Sequence, residues 1–268
     1  MRAIELNAVA IDNNKTAFEW GCRAAHNWSE VESLIASGNT STQVIDFKNR
    51  DSLEIMIAKR VEFLTAYQNA AYAAKYTDFI EKIRDKEKNL KTEASIKNLP
   101  LTEAVARNLF KLMAYKDEYE VARLHSDGTF EKKIATMFEG DYKLNYHLAP
   151  PLLAKKNDKG ELQKQAFGPW MLTSFKLLAK LKGLRGTAFD VFGKSVERKM
   201  ERTLITDYLS SMAQVIEKLN PENMQTRLPI ALDIARIPES IKGYGHVKEK
   251  SIATARLKWD SLMSQIMT

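Results

Sequence analysis

Cysteine is nearly absent: Cys22 is the only one in 268 residues. Intramolecular disulfides are therefore excluded, and one thiolate cannot supply the ligands of an iron–sulfur cluster. Histidine is scarce too. His26, His125, His147 and His246 are scattered without metal-ligand spacing, so each reads as structural or solvent-facing. No apolar run approaches the roughly 18–20 residues of a membrane span. The opening "MRAIELNAVAIDNN" reaches acidic and amide residues too early for a secretory signal, which makes a cytoplasmic location the expectation. The sequence also lacks G-x-x-x-x-G-K-[ST], a strand followed by G-x-G-x-x-G, and G-x-S-x-G. Those absences argue against a P-loop, a Rossmann nucleotide site and an α/β hydrolase.

What remains is ordinary for a globular protein: 44% hydrophobic and 28% charged residues in 30.5 kDa, enough chain to bury a substantial core. The net charge is +7, and its distribution is uneven. Between Pro150 and Lys194, nine basic residues meet only Asp158, Glu161 and Asp190. Such a field favours an anionic partner: nucleic acid, an acidic protein or a phosphorylated ligand.

Helical periodicity dominates. Ile4, Ala8, Ile11, Phe18 and Cys22 mark one face of a first helix. Ser29 with Glu32 forms a capping-box pattern for a helix that stops at Gly38. No proline or glycine occurs from Asp51 to Leu99, which predicts one long helix or two abutting ones, with Leu53, Ile57, Val61, Leu64, Ala71 and Ala74 on one stripe. Helices follow from Pro100 to the Asp127-Gly128 turn signal and over "TFEKKIATMFEG". Tyr142, Leu144, Tyr146 and Leu148 alternate with polar residues, the one convincing strand pattern. Its partner comes after a hairpin turn in "KKNDKGELQKQ". Further helices run from Pro169 to Gly183 or Gly186, from Ser195 to Leu219, and from Pro221 to near Pro238 with a bend or break at Pro229. A last helix follows "GYGHVKEK". The fold class is mainly α, with a two-stranded β insertion around residues 142–166. Residues 1–25 read as a linker helix and 26–268 as a helical domain, with a sub-boundary near 92–100.

Three places carry candidate chemistry. In Gly243–Lys248, glycines and a helix N-terminus would suit an anion, with His246 and Lys248 beside it. The plain reading is that Gly243 ends one helix and Gly245 frees the turn into the next. His147, near Glu139 and Asp141, would suit proton transfer, but its place on the polar face of the strand favours solvent. Lys176, Lys180, Lys182 and Arg185 form the densest part of the basic run, a candidate docking surface. Trp170, Phe175 and Leu178 at helical spacing read as core.

The segments "VARNLFKLMAYKDEYEVARLHSDGTFEKKI", "FEGDYKLNYHLAPPLLAK", "FGPWMLTSFKLLAKLKGLRGTAFDVFGKSVERKMERTLI" and "IARIPESIKGYGHVKEK" resemble the C-terminal region of the long, single-chain bacterial indolepyruvate ferredoxin oxidoreductases. The opening "RAIELNAVAIDNNKTAFEWG" is similar to the exit from their gamma-type domain. That resemblance implies an enzyme oxidatively decarboxylating aryl 2-oxoacids with coenzyme A, using thiamine diphosphate, Mg²⁺ and iron–sulfur clusters, and passing electrons to ferredoxin. No motif for those cofactors stands in this sequence, so no catalytic, cofactor or metal residue is carried over. The resemblance makes this chain a non-catalytic part of such an enzyme. Its implied partners are the catalytic domains and ferredoxin, with no membrane contact and with a homo-oligomer as a further option. The alternative is a free-standing basic helical module for nucleic acid or an acidic protein.

Overall fold

The computed structural model describes residues 2–7, 11–37, 51–90, 98–138, 140, 143–148 and 163–268. The chain divides into two compact units, Met1–Arg50 and Asp51–Thr268. Among the described residues no helix is long and apolar enough to cross a membrane.

The first unit holds α1 (Arg2–Asn7), α2 (Ile11–His26) and α3 (Trp28–Ser37). The expected single first helix is thus two, with Ala8 outside the described residues. A Lys15–Glu5 ion pair ties α1 to α2. The cap of α3 is Asn27 rather than Ser29: its Oδ1 accepts from Ser29 Oγ at 2.9 Å and from the Glu30 N–H at 3.4 Å. Gly38 lies outside the described residues.

In the second unit, α4 (Leu53–Tyr67) and α5 (Ala70–Asn89) resolve the proline-free segment into two abutting helices. The break comes from Asn69, which is extended at φ −169° and whose side chain accepts from the Tyr72 N–H at 2.8 Å. This restart resets the helical phase. The buried stripe of α5 is Ala73, Tyr76, Ile80, Ile83 and Glu87, not the expected Ala71 and Ala74, which are exposed. Glu87 is buried because it caps the next helix. Its carboxylate accepts from the N–H groups of Leu101 (3.2 Å) and Thr102 (2.8 Å) at the start of α6 (Pro100–Met113).

Around α6 pack α4, α5, α10 (Val196–Lys218) and α11 (Met224–Ser240), and α12 (Gly245–Met267) lies against α10 and α11. Buried tyrosines staple these helices by donating to backbone carbonyls: Tyr67 to Tyr115, Tyr76 to Ala106, and Tyr208 to Ala235 at 2.8 Å. Each bond satisfies a hydroxyl that burial would otherwise strand. Burial also pushes the Tyr208 hydroxyl far above its ordinary pKa. The helix α11 is continuous through Pro229, where a bend or break was expected, and it ends at Ser240, near Pro238 as expected. Pro229 is the sixth helical residue, so its missing N–H costs the bond to the Gln225 carbonyl. At the helix end, Lys111 Nζ donates to the carbonyls of Pro238 (2.6 Å) and Ile241 (3.0 Å).

A smaller layer completes the unit. It comprises α7 (Glu118–Ser126), α8 (Thr129–Met137), the antiparallel pair β1 (Tyr146–Leu148) and β2 (Gln165–Phe167), and α9 (Trp170–Lys180). Tyr146 pairs with Phe167 and Leu148 with Gln165, while Tyr142 and the expected turn lie outside the described residues. This layer has its own small core of Ala122, Tyr146, Met171 and Phe175, with the His125 ring stacked 5.1 Å from Phe175. The mainly α fold with a two-stranded insertion is therefore what forms.

Candidate functional site

The two cores of the second unit meet along a cleft of 1080 Å³. One wall is α9, through Trp170, Met171, Ser174, Phe175 and Leu178, with Leu148 of β1 beside it. The other is the Ile241–Gly245 turn with the end of α6 and the start of α10. The α9 wall follows from its sequence: Met171, Ser174, Phe175 and Leu178 recur at helical spacing on one face, while Leu177 is exposed on another. Trp170 is the exception to its expected core role. It is 59% exposed and stands open at the cleft, while Phe175 is buried.

Between the walls lies a charged floor built from three elements. Glu201 on α10 is buried and shared by two cations, with Oε2 accepting from Arg198 Nη1 at 2.6 Å and Oε1 from Lys248 of α12. Arg198 Nε lies 3.5 Å from Glu118 Oε2 at the start of α7, an ion pair without a hydrogen bond. Arg198 is held firmly cationic despite its burial, because the surrounding carboxylates, Glu201 first, outweigh desolvation. Lys111 sits at the end of the turn. Burial pushes its ammonium down; Glu239 opposes that shift, and Lys242 and Lys248 add to it.

The turn is shaped by glycine. Gly243 has φ +90°, and a Cβ there would lie 2.6 Å from Val247 Cγ1, so a side chain is disfavoured on two counts. Ser251 Oγ accepts from the Lys242 N–H at 3.0 Å and donates to the Ser240 carbonyl at 2.9 Å, pinning the turn to the first helical turns of α12. Gly243 is not the C-cap of α11, a position held by Ile241.

The candidate residues separate accordingly. Gly243 and Lys248 line the cleft; His246 is exposed and is not part of its lining. Lys176 and Lys180 lie exposed on α9, one helical turn apart, and neither lines the cleft. Lys182 is half-buried and donates to the Ala66 carbonyl at 2.5 Å. Arg185 does not belong to any docking surface. It is buried, bonded to Asp117 and to the Tyr67 carbonyl, with its guanidinium 3.7 Å from the Tyr67 ring centroid. His147 is exposed as expected, and Glu139 and Asp141 lie outside the described residues. Cys22 is exposed. Among the described residues no group of three or more His, Cys, Asp or Glu is placed to hold a metal ion.

Sequence reasoning missed Lys111, Glu118, Arg198 and Glu201. In "SVERKMER" the i,i+3 pair Arg198–Glu201 looks like any solvated helix face. Its partners come from α7 and α12, far away in sequence, so no local signal distinguished it.

No curated protein and no solved structure matches the chain. Residues 53–261, which include every residue of the cleft and nearly all of the second unit, match DUF6537, a family of unknown function. The chain belongs to that family.

Proposed function

We propose that this chain is a non-catalytic helical domain of an aryl 2-oxoacid:ferredoxin oxidoreductase of the indolepyruvate type. It supports the domains that carry thiamine diphosphate, Mg²⁺ and iron–sulfur clusters, and its exposed α9 lysines help dock ferredoxin. A cytoplasmic location goes with this reading. The wording of the sequence over most of its length supports it. The structural observation that carries it is the apolar surface of the first unit. The sixteen-residue helix α2 buries none of its residues, and Phe18, Trp20, Trp28, Leu34 and Ile35 stand exposed on α2 and α3. Such large exposed apolar side chains on two neighbouring helices are what contact with another protein surface would cover.

Docking rests on Lys176 and Lys180, without Arg185. A cationic pair on an acidic partner's path acts mainly on association rate and weakens with salt. The test is to isolate the chain from its native cells with its partners and assay ferredoxin reduction dependent on indolepyruvate and coenzyme A. The expected result is co-purifying activity, with Lys176→Glu/Lys180→Glu raising the KM for ferredoxin and leaving that for the 2-oxoacid unchanged. A chain that carries no such activity but retards labelled nucleic acid, with steep salt dependence, would replace this reading with the basic binding module.

A further inference from the structure

We propose that the cleft between α9 and the Ile241–Gly245 turn is a binding site for a small apolar anion, a carboxylate carried on an aromatic or long aliphatic body. The size, lining and charge of the cleft each bear on this. Its 1080 Å³ lies just above the about 300–1,000 Å³ typical of small-molecule sites, which are mostly apolar with a few placed polar groups. Its open aromatic surfaces are Trp170 at one wall and Tyr244, 71% exposed, at the other. Flat apolar groups can stack on both, with Phe175 and Leu178 deeper in the α9 wall.

The charge balance selects the anion. Among the residues lining the cleft, Asp117 is taken by Arg185, and Glu201 is shared by Arg198 and Lys248. Glu118 pairs with Arg198. That leaves Lys116 and Lys242 in no ion pair among the described residues, and Lys111 bonded to backbone carbonyls with the Glu239 charge near it, against Glu197 on the acidic side. Lys111, Lys242 and Lys248 are also close enough for each of the latter two charges to disfavour the first. A carboxylate arriving at the turn would relieve that repulsion, while its apolar body would cover the α9 wall. A polyanion fits less well, because most of the lining offers it no donor and stripping its water is costly. An uncharged apolar molecule would leave the lysine surplus unbalanced.

Titration of the full chain with 8-anilino-1-naphthalenesulfonate tests this, with fluorescence as the readout. Dodecanoate and 1-naphthylacetate, added separately as competitors, distinguish an aliphatic from an aromatic body. At least one should displace the dye, and the uncharged N-phenyl-1-naphthylamine should bind more weakly than the sulfonate. Lys242→Glu, at an exposed position, should weaken dye binding by roughly tenfold, the equivalent of 1.4 kcal/mol. Ser174→Trp should narrow the cleft at its α9 wall and weaken binding. Trp170→Ala, which removes only an exposed ring, gives the same direction should the larger replacement fail to fold. Phe18→Ser/Trp28→Ser controls for dye held by the first unit. Binding that survives all three cleft variants and is lost in that control would overturn the site. Equal affinity for the uncharged dye, unaffected by Lys242→Glu, would overturn the anion selectivity.

Discussion

Arg185 and Asp117 are joined by a two-pronged buried ion pair, Nε to Oδ2 at 2.5 Å and Nη2 to Oδ1 at 2.7 Å, across 68 residues of sequence. Asp117 simultaneously accepts from the Glu120 N–H at 2.9 Å as the cap of α7, so one carboxylate joins two tasks. Removing the guanidinium leaves that carboxylate buried without a counter-charge. Arg185→Ala should therefore destabilise the protein by about 3–5 kcal/mol. Arg185→Lys should recover little, since a single ammonium cannot reproduce the fork that also reaches the Tyr67 carbonyl. Urea unfolding monitored by circular dichroism measures both. An Arg185→Lys variant as stable as the wild type would show that the second prong contributes nothing.

His125 gives the small core a pH dependence. Burial lowers the imidazole pKa from its ordinary 6.5, because the charged form is disfavoured beside Phe175, Phe130 and Tyr146. As pH falls through about 6.5, the unfolded chain takes up a proton there that the folded chain refuses. Stability should drop from that point and level off below the folded-state pKa. His125→Gln should flatten this part of the profile. Urea midpoints for both proteins between about pH 5 and 8 give the comparison, and parallel profiles would mean that the ring is solvated.

Gly243→Ala should destabilise the protein by about 1–3 kcal/mol, the range for a side chain forced into the left-handed region. The added Cβ meets Val247 as well. Pairing it with Val247→Ala should recover only the steric part. Thermal melts of the single and double variants separate the two contributions.

The first unit should drive self-association when the protein is alone. Sedimentation velocity over a rising concentration series should show oligomers, and Phe18→Ser/Trp28→Ser should return the chain to monomer. The two side chains are 52% and 60% exposed, so their loss should leave the thermal midpoint within a few degrees. Unchanged sedimentation in the variant would place the contact elsewhere.

Much of the architecture was legible wherever local chemistry decides structure. Ser195 capping α10, Pro100 opening α6 and the Asp127-Gly128 stop all form as their residue types imply. The alternation at Tyr146–Leu148 likewise becomes a strand. Local chemistry also misled. Between Tyr67 and Ala70 no glycine or proline marks the break, and Asn69 reads as a cap only once the chain is seen to leave the helix there. Pro229 looks like a breaker, yet α11 continues through it. Arg185 sits in a basic run that composition assigns to the surface, and only Asp117, brought from α7, explains its burial. The cleft was the least visible feature. Gly243 stood out for its residue type, but the acid it helps bring Lys248 to, Glu201, belongs to another helix.

The two walls of the cleft are anchored by different means. The turn is fastened from three sides, by Lys111 to α6, by Ser251 to its own ends, and by Lys248 to Glu201. Opposite it, α9 rests on a core of four buried residues and on a strand pair three residues long. Just beyond the end of α9, Lys182 and Arg185 tie the chain to the Ala66 and Tyr67 carbonyls and to Asp117. The α9 wall is thus placed by side-chain packing and the turn by directed hydrogen bonds and an ion pair, so the two sides of the cleft are fixed by different kinds of force.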